Sequence, residues 1–154
     1  MKYYLFLSLS VAIVLPQVLR AQTDAKHFNT SSKKIGAEGY DLVAYFSDEK
    51  AVEGEKDYKG EYSGITYLFS SEANAVVFSQ NPKKYLPQYG GWCAYAMGAT
   101  GDKVEVDPET FKIVDGKLYL FYNKYFNNTL KQWNEDEASL KRQADTNWSK
   151  IIAN

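Results

Sequence analysis

The chain has 154 residues, a length that suits one domain whose core is large enough to fold without disulfides. Hydrophobic residues make up 45% of it and charged residues 24%, which is ordinary for a globular protein and excludes a disordered or collagen-like chain. The formal net charge is −1 and the lysines are scattered, so the sequence offers no extended basic face and nucleic acid is a poor candidate partner.

The first 21 residues have the pattern of a signal peptide. Lys2 supplies a positive start, an apolar run occupies residues 5–15, and Pro16 breaks that run before the small residue Ala21. The run is too short to span a bilayer comfortably, so an uncleaved membrane anchor is the weaker alternative. We therefore predict cleavage near Ala21 and a periplasmic or secreted protein, with no stable membrane insertion after cleavage.

Residues 22–38 are small and polar, and they predict a flexible lead-in ahead of the folded part. This segment contains His27, the only histidine of the chain, which we interpret as a solvated linker residue. No repeat or linker interrupts residues 39–154, so we predict one α+β domain there.

Hydrophobic patterning predicts the elements of the first half of this domain. Residues 39–46 are expected to be extended, and residues 59–71 to form a hairpin that turns at Ser63-Gly64. A helix capped by Ser70 or Ser71 should follow, with Ala73, Val76 and Val77 on one face.

In the second half, two glycines precede a short helix that we predict over residues 92–97. The Asp115-Gly116 pair is typical of a type I′ turn and predicts a second hairpin. From about residue 124 the pattern is helical, with one or two helices. Their predicted apolar face consists of Leu130, Trp133, Leu140, Trp148 and Ile152.

Several separated motifs of this chain resemble exported YHS-domain proteins. They are GYDLVAYF, YSGITYLFSS, FSQNPKKYLPQYGGWCAYAM and FKIVDGKLYLFYN, in the same order, and the resemblance runs from about Gly39 to Trp148. It implies an α+β fold with a β-hairpin packed on a helix, a second hairpin and C-terminal helices.

Many short YHS domains are metal-associated and carry cysteines that the resemblance aligns here with Ala44, Ser70 and Asn74. Leu68 lies near the place of the histidine that helps to name the family. Since none of these side chains is a thiolate or imidazole, the metal function of the short domains is not carried over to this chain.

The resemblance points instead to a GGxCAYA stretch, matched by residues 90–96 and centred on Cys93. Some similar proteins carry selenocysteine at the matching position, which implies sulfur or selenium chemistry at that residue. Cys93 has no second cysteine to resolve a disulfide within the chain, so redox cycling would need the thiol of a partner molecule.

Our leading hypothesis from sequence is therefore thiol-centred redox or ligand chemistry, with Cys93 as the catalytic residue. A helix N-terminus would stabilise its thiolate. Trp92, Tyr95 and Tyr89 would line a binding pocket, although aromatic core packing explains the same rings. Asp41, next to an apolar run, is a further candidate for ligand binding or for a turn hydrogen bond.

Two alternatives remain open from sequence, and neither the reaction nor the class of enzyme follows from it. Cys93 and Met97 are spaced to share a helical face, and a thiolate with a thioether suits Cu(I), so copper is the candidate cofactor. That site is incomplete unless His27 supplies a third ligand. In the other alternative, Cys93 is a buried inert thiol in a non-catalytic binding or interaction module. The partner is accordingly a small molecule, a metal ion or a thiol.

Overall fold

The computed structural model describes residues 25–153. The predicted signal peptide lies outside these residues. Within them, no helix combines the length and the apolar character that crossing a membrane would require.

The described residues form helices and antiparallel two-stranded hairpins, which confirms the α+β prediction. The α-helices and strands are α1 (Ala44–Ser47), β1 (Glu55–Tyr62), β2 (Ile65–Phe69), α2 (Glu72–Gln80), α3 (Pro82–Tyr85), α4 (Ala94–Ala99), β3 (Asp107–Val114), β4 (Lys117–Phe121), β5 (Asn123–Lys124), β6 (Asn127–Asn128), α5 (Thr129–Glu135) and α6 (Glu137–Ile152), and two short 3-10 helices span Ala37–Gly39 and Gln88–Gly91. Strand β1 pairs with β2, β3 with β4 and β5 with β6.

Both predicted hairpins form, and turn chemistry explains why. Ser63 and Gly64 have φ values of 52° and 76°, and Asp115 and Gly116 have 52° and 69°. These left-handed pairs are the conformation of a type I′ turn, which matches the twist of the flanking strands. The prediction that the first hairpin turns at Ser63-Gly64 and the second at Asp115-Gly116 is confirmed.

Residues 39–46 differ from the extended segment that the sequence predicts, because α1 lies within this run. The Asp41 carboxylate accepts hydrogen bonds from the backbone amides of Val43 and Ala44, as a helix-capping side chain does. The middle of the run is also completely surrounded by the core, since residues 41–45 are all buried. A fully buried apolar run does not by its pattern distinguish a strand from a short helix.

Helix α2 begins as predicted, since Ser71 accepts a hydrogen bond from the Asn74 amide. Its buried face was predicted wrongly: Val76 is 52% exposed, whereas Ala75 and Phe78 are buried. Phe78 lies between the rings of Tyr67 and Phe69 on β2, at centroid distances of 5.2 and 5.0 Å. The largest side chain therefore sets the orientation of the helix, and both valines face outward.

The helix that follows Cys93 begins two residues later than predicted, at Ala94. Three consecutive residues before it, Tyr89, Gly90 and Gly91, have left-handed φ values of 55°, 64° and 84°. This tight segment turns the chain, and Cys93 becomes the residue that precedes the helix. A side chain at Gly90 has no room, because its Cβ would lie 2.8 Å from the Trp148 ring.

The described part of the lead-in, residues 25–38, packs against the body of the protein, whereas the sequence predicts a flexible segment. The Asn29 amide donates to the Gly90 carbonyl at 2.8 Å, and the Gly36 amide donates to the Thr66 carbonyl at 2.9 Å. Phe28 also packs against a cluster of buried residues that includes Ile65, Tyr67 and Phe69 of β2. The polar composition of this segment does not indicate these backbone hydrogen bonds, because their partners lie far away in the sequence.

Two helices form the C-terminal part, and two details differ from the prediction. Residues 123–128 form the β5–β6 hairpin rather than a helix. Ile152 is exposed, and Ile151 packs against the core in its place, along with Trp148 and the buried Ala144. These three residues follow the helical spacing of i, i+4 and i+7, which places them on one face of α6.

Candidate functional site

Cys93 lies where the two halves of the core meet. It belongs to a first cluster with the hairpin residues, whereas Ala94 and Met97, which follow it, belong to a second cluster with Trp133. Its backbone amide donates to the Val104 carbonyl at 2.9 Å. The residue has no exposed surface, so neither solvent nor a partner thiol reaches the sulfur in this conformation.

Hydrogen bonds surround the Cys93 sulfur. It accepts a bond from the Tyr122 amide at 3.3 Å and lies 3.4 Å from the Thr129 hydroxyl oxygen. The Thr129 hydroxyl donates its proton to the Tyr122 carbonyl at 2.8 Å, so the thiol proton is the one that joins Cys93 to Thr129. Through these bonds the Cys93 side chain ties α4 to the chain between β4 and α5.

The helix N-terminus does not serve as the thiolate cradle that the sequence predicts. Helix α4 has only six residues, and the Cys93 side chain makes no capping hydrogen bond to its amides. The sulfur instead contacts Tyr122 and Thr129, which lie 29 and 36 residues away in sequence. Cys93 thus directly precedes α4, but its side chain lacks the capping hydrogen bond through which the helix amides would contact a thiolate.

The structure gives the surroundings of Cys93 and Met97, the predicted soft-metal pair, and of His27, the predicted third ligand. Met97 is fully buried, and it belongs to the second cluster while Cys93 belongs to the first. Between residues 25 and 153 there is no group of three or more His, Cys, Asp and Glu side chains that could hold a metal ion. The ring of His27 lies edge-on to Trp148, with 6.5 Å between centroids.

The three aromatic residues predicted to line a ligand pocket instead support α4 and its entrance. Trp92 donates its indole N–H to the His27 carbonyl at 2.7 Å. Tyr95 is half-buried and packs against both core clusters. Tyr89 is buried and donates to Asp145 at 3.0 Å; burial and the nearby Asp145 carboxylate raise the pKa of its hydroxyl.

Tyr89 does line an open cleft of about 410 Å³, and Cys93 is not part of the lining of this cleft. Its apolar lining includes Phe28 and Trp148, and its charged lining includes Lys117 and Asp145. Neither Trp92 nor Tyr95 lines this cleft, so it is not the pocket around Cys93 that the sequence predicts.

Asp41 is the most heavily bonded side chain of the predicted site residues, and it has no exposed surface. One carboxylate oxygen accepts from the amides of Val43 and Ala44 at 2.8 and 3.2 Å. The other accepts from the amide and hydroxyl of Ser70, at 2.8 and 2.7 Å, and from the Asn74 side chain at 2.7 Å. Five donors thus compensate the buried charge, and Asp41 joins α1, the end of β2 and α2.

The structure brings together the positions that the resemblance aligns with the cysteines of short YHS domains. Ala44, Ser70 and Asn74 all donate to Asp41. Donor groups already occupy the acceptor positions of the carboxylate, and amide and hydroxyl groups stand where thiolates would be needed. This geometry fits a hydrogen-bonded joint and does not fit a soft-metal site.

Sequence reasoning missed an exposed aromatic pair. Tyr125 and Phe126 form the turn of the β5–β6 hairpin, with relative exposures of 90% and 110%. The signal was present in the sequence, because two adjacent rings stand in the polar run NKYFNN. The helical pattern from about residue 124 includes these two rings, so it gives no reason to expect them at a turn.

Comparison with known proteins finds a family match for one part of the chain. The family model of the YHS domain matches residues 43–89, which include α1, the first hairpin, α2 and α3. Cys93 and the rest of the GGxCAYA stretch follow the end of this match. No curated protein and no solved structure matches the chain.

Proposed function

We propose that this protein, whose residues 43–89 match the YHS domain, is a non-catalytic binding or interaction module with a structural cysteine. One observation carries this proposal: the Cys93 sulfur has no exposed surface and is hydrogen-bonded to both Tyr122 and Thr129. Of the three hypotheses drawn from sequence, the buried inert thiol is the one that this geometry supports best.

Thiol chemistry requires a thiolate and a path for the partner molecule. Here, approach to the sulfur requires that Tyr122 or Thr129 move, and the Thr129 amide and hydroxyl both bond to the Tyr122 carbonyl, at 3.0 and 2.8 Å. Exposure of Cys93 would therefore break the junction between β4 and α5. The sulfur is best explained as a packing and hydrogen-bonding group.

The first expected result concerns the alkylation of Cys93 by iodoacetamide in the folded protein lacking the signal sequence. We expect labelling about a thousandfold slower than in urea, because a local opening free energy of about 4 kcal/mol reduces the reactive population by that factor. Labelling is measured by the mass of the intact protein against time, at several pH values.

The matched control is the double variant Cys93→Ser/Thr100→Cys, which moves the only thiol to an exposed position at the end of α4. This variant should label at the rate of a small-molecule thiol without denaturant. Rapid labelling of Cys93 in the native protein would contradict the proposal and restore the redox hypothesis. Copper retained stoichiometrically through purification, and lost in Cys93→Ser, would favour the soft-metal alternative.

We also propose that the module works outside the cytoplasm, as a periplasmic or secreted protein. The charge, apolar run and small residue of the first 21 positions support this localisation. Expression of the full chain in a bacterium should yield a periplasmic protein whose N-terminal residue is Gln22. Replacement of Leu7 and Leu9 by lysine should abolish this export; recovery of uncleaved protein in the membrane fraction would instead indicate an anchor.

A further inference from the structure

The first hairpin has one open edge. Strands β1 and β2 form a two-stranded sheet, and no other described segment pairs with β1. The opposite edge of the hairpin is already occupied at Thr66 of β2. The Thr66 amide donates to the Lys34 carbonyl, and the Thr66 carbonyl accepts from the Gly36 amide. The hairpin is therefore open to a further strand along β1.

The bonds of Thr66 also show which backbone groups of β1 face the open edge. In an antiparallel pair, residues that bond to each other alternate with residues whose amides and carbonyls point away. Glu61 lies opposite Thr66, and Thr66 bonds away from β1, so the backbone groups of Glu61 point away from β2. Lys59, two residues earlier in the strand, has the same orientation. Neither residue bonds through its backbone to any described segment outside the hairpin.

A groove of about 640 Å³ lies between residues 57–59 of β1 and helix α2. The α2 residues that line it follow the helical spacing of i, i+3, i+4, i+7 and i+8, which places them on one stripe of the helix. They are Glu72, Ala75, Val76, Ser79 and Gln80. Val76 is 52% exposed, although its β-branched side chain is a weak helix former. The groove thus places an exposed apolar side chain beside the unpaired backbone groups of Lys59.

The charges of β1 match a second copy of the same strand. In an antiparallel pair of two β1 strands centred on Gly60, Lys59 of each copy lies opposite Glu61 of the other. These are the residues whose backbone groups face outward, so backbone hydrogen bonds and Lys–Glu contacts form together at both positions. The next registers that keep this hydrogen bonding place Lys59 opposite Lys59, or Glu61 opposite Glu61. Like charges therefore disfavour the neighbouring registers.

The position of α2 fits this pairing. Phe78 of α2 packs against Tyr67 and Phe69 of β2, and a Cβ at Gly60 of β1 would lie 3.0 Å from its ring, so the helix covers the hairpin. A two-fold axis at Gly60 places both α2 helices on the same face of a four-stranded sheet. The centres of the two hairpins are then two strand spacings apart, about 10 Å. Packed helices have interaxial distances of about 8–10 Å, so the two α2 helices meet without a gap.

We propose that the protein forms a two-fold symmetric dimer in which two β1 strands pair and join the two hairpins into one four-stranded sheet. Lys59 and Glu61 hold the register on the face opposite α2. On the α2 face, Tyr62 of the second copy lies in the groove and packs against Val76. The contact is small, so the dimer is reversible and its population depends on protein concentration. This inference goes beyond the proposed function, since it does not depend on the state of Cys93.

Sedimentation velocity of the protein lacking residues 1–21 tests the dimer, and the mass should rise from one chain to two between about 10 µM and about 1 mM. Lys59→Glu and Glu61→Lys should each weaken dimerisation about tenfold, because each places like charges opposite one another. The double variant Lys59→Glu/Glu61→Lys restores the opposite charges and should dimerise like the wild type. An equimolar mixture of the two single variants should form a heterodimer.

The matched control is Lys56→Glu. It makes the same change of charge at an exposed position of β1, but in this register residue 56 lies opposite Gly64, which has no charge. Dimerisation of this variant should equal that of the wild type.

The helix side of the contact has its own pair of variants. Val76→Ala should weaken dimerisation about threefold without lowering the urea midpoint of unfolding, because alanine is the better helix former. Val77→Ala makes the same change at a residue that does not line the groove, and it should leave dimerisation unchanged.

Hydrogen exchange observed by NMR locates the interface. The amides of Lys59 and Glu61 should exchange rapidly in dilute solution and slow down as the dimer forms. A monomer at every concentration, or a dimer that both single charge variants retain, would overturn the proposal. Protection of these two amides that does not change with concentration would assign the edge to another segment of the same chain, and would also overturn it. Alkylation of Cys93 tests the proposed function separately from each of these outcomes.

Discussion

The substitution Asp41→Asn is expected to lower the free energy of unfolding by about 3–5 kcal/mol, the cost of breaking a buried charged network by removing one partner. The carboxylate accepts five hydrogen bonds, two from the turn into α1 and three from Ser70 and Asn74. An amide of the same size has one oxygen and brings two donors of its own. Either the α1 amides or the Ser70 and Asn74 groups would then face an N–H instead of an acceptor.

Equilibrium urea unfolding followed by tryptophan fluorescence measures this effect. Asp57→Asn removes the same charge from an exposed position of β1, and its free energy of unfolding should change by less than about 0.5 kcal/mol. Ser70→Ala removes one donor and leaves the carboxylate with its other partners, so it should cost about 1 kcal/mol. If Asp41→Asn were as stable as the exposed control, the hydrogen-bonded joint would not be a stabilising feature of this protein.

The second large effect is expected for Gly98→Ala in α4. Alanine is the better helix former by about 1 kcal/mol, so propensity alone predicts a more stable protein. Its Cβ, however, would lie 2.6 Å from the Leu140 carbonyl oxygen of α6. The obstacle is backbone and cannot rotate away, so α6 must shift, and overpacking of this kind costs about 1–3 kcal/mol.

We therefore expect Gly98→Ala to lower the unfolding free energy by about 2 kcal/mol net, measured by the same urea titration. Ala99→Gly, at the exposed neighbouring position, calibrates the propensity effect and should cost up to about 1 kcal/mol. A shift of α6 would also disturb the Asn147 side chain, which donates to the Met97 carbonyl at 2.9 Å. A Gly98→Ala variant more stable than the wild type would show that α6 does not pack this closely on α4.

The exposed aromatic turn and the Cys93 junction lie on the same stretch of chain. Tyr122 bonds to the sulfur, and the hairpin with the exposed rings begins at the next residue. The buried thiol thus helps to fix the base from which the aromatic turn projects.

Residues close together in the sequence determined the parts of this protein that the sequence predicted correctly. The two hairpins depend on turn residues that tolerate left-handed φ values, and the start of α2 depends on Ser71 three residues before the amide that it caps. These interactions span at most four residues, so neighbouring side chains are enough to select the structure. The single cysteine excluded an internal disulfide for an equally simple reason.

The candidate site was predicted only as a set of residues. The sequence singled out Cys93 and Asp41, yet it did not determine whether either side chain is exposed or which groups it contacts. The bond from Tyr122 to Cys93 and the bonds from Ser70 to Asp41 each cross 29 residues of sequence. The sequence pattern treats a reactive thiol and a buried one alike, because residue type alone does not encode distant partners.

Tertiary packing decided the remaining features. Phe78, rather than the two valines of α2, packs against the first hairpin. Residues 25–38 pack against the rest of the protein through backbone hydrogen bonds. Residues 123–128 form a hairpin although their sequence pattern is helical. Short segments have weak conformational preferences of their own, so contacts with the rest of the fold outweigh them. The sequence by itself determined the turns, one helix cap and the lack of an internal disulfide, and only the tertiary structure decided what Cys93 and Asp41 contact.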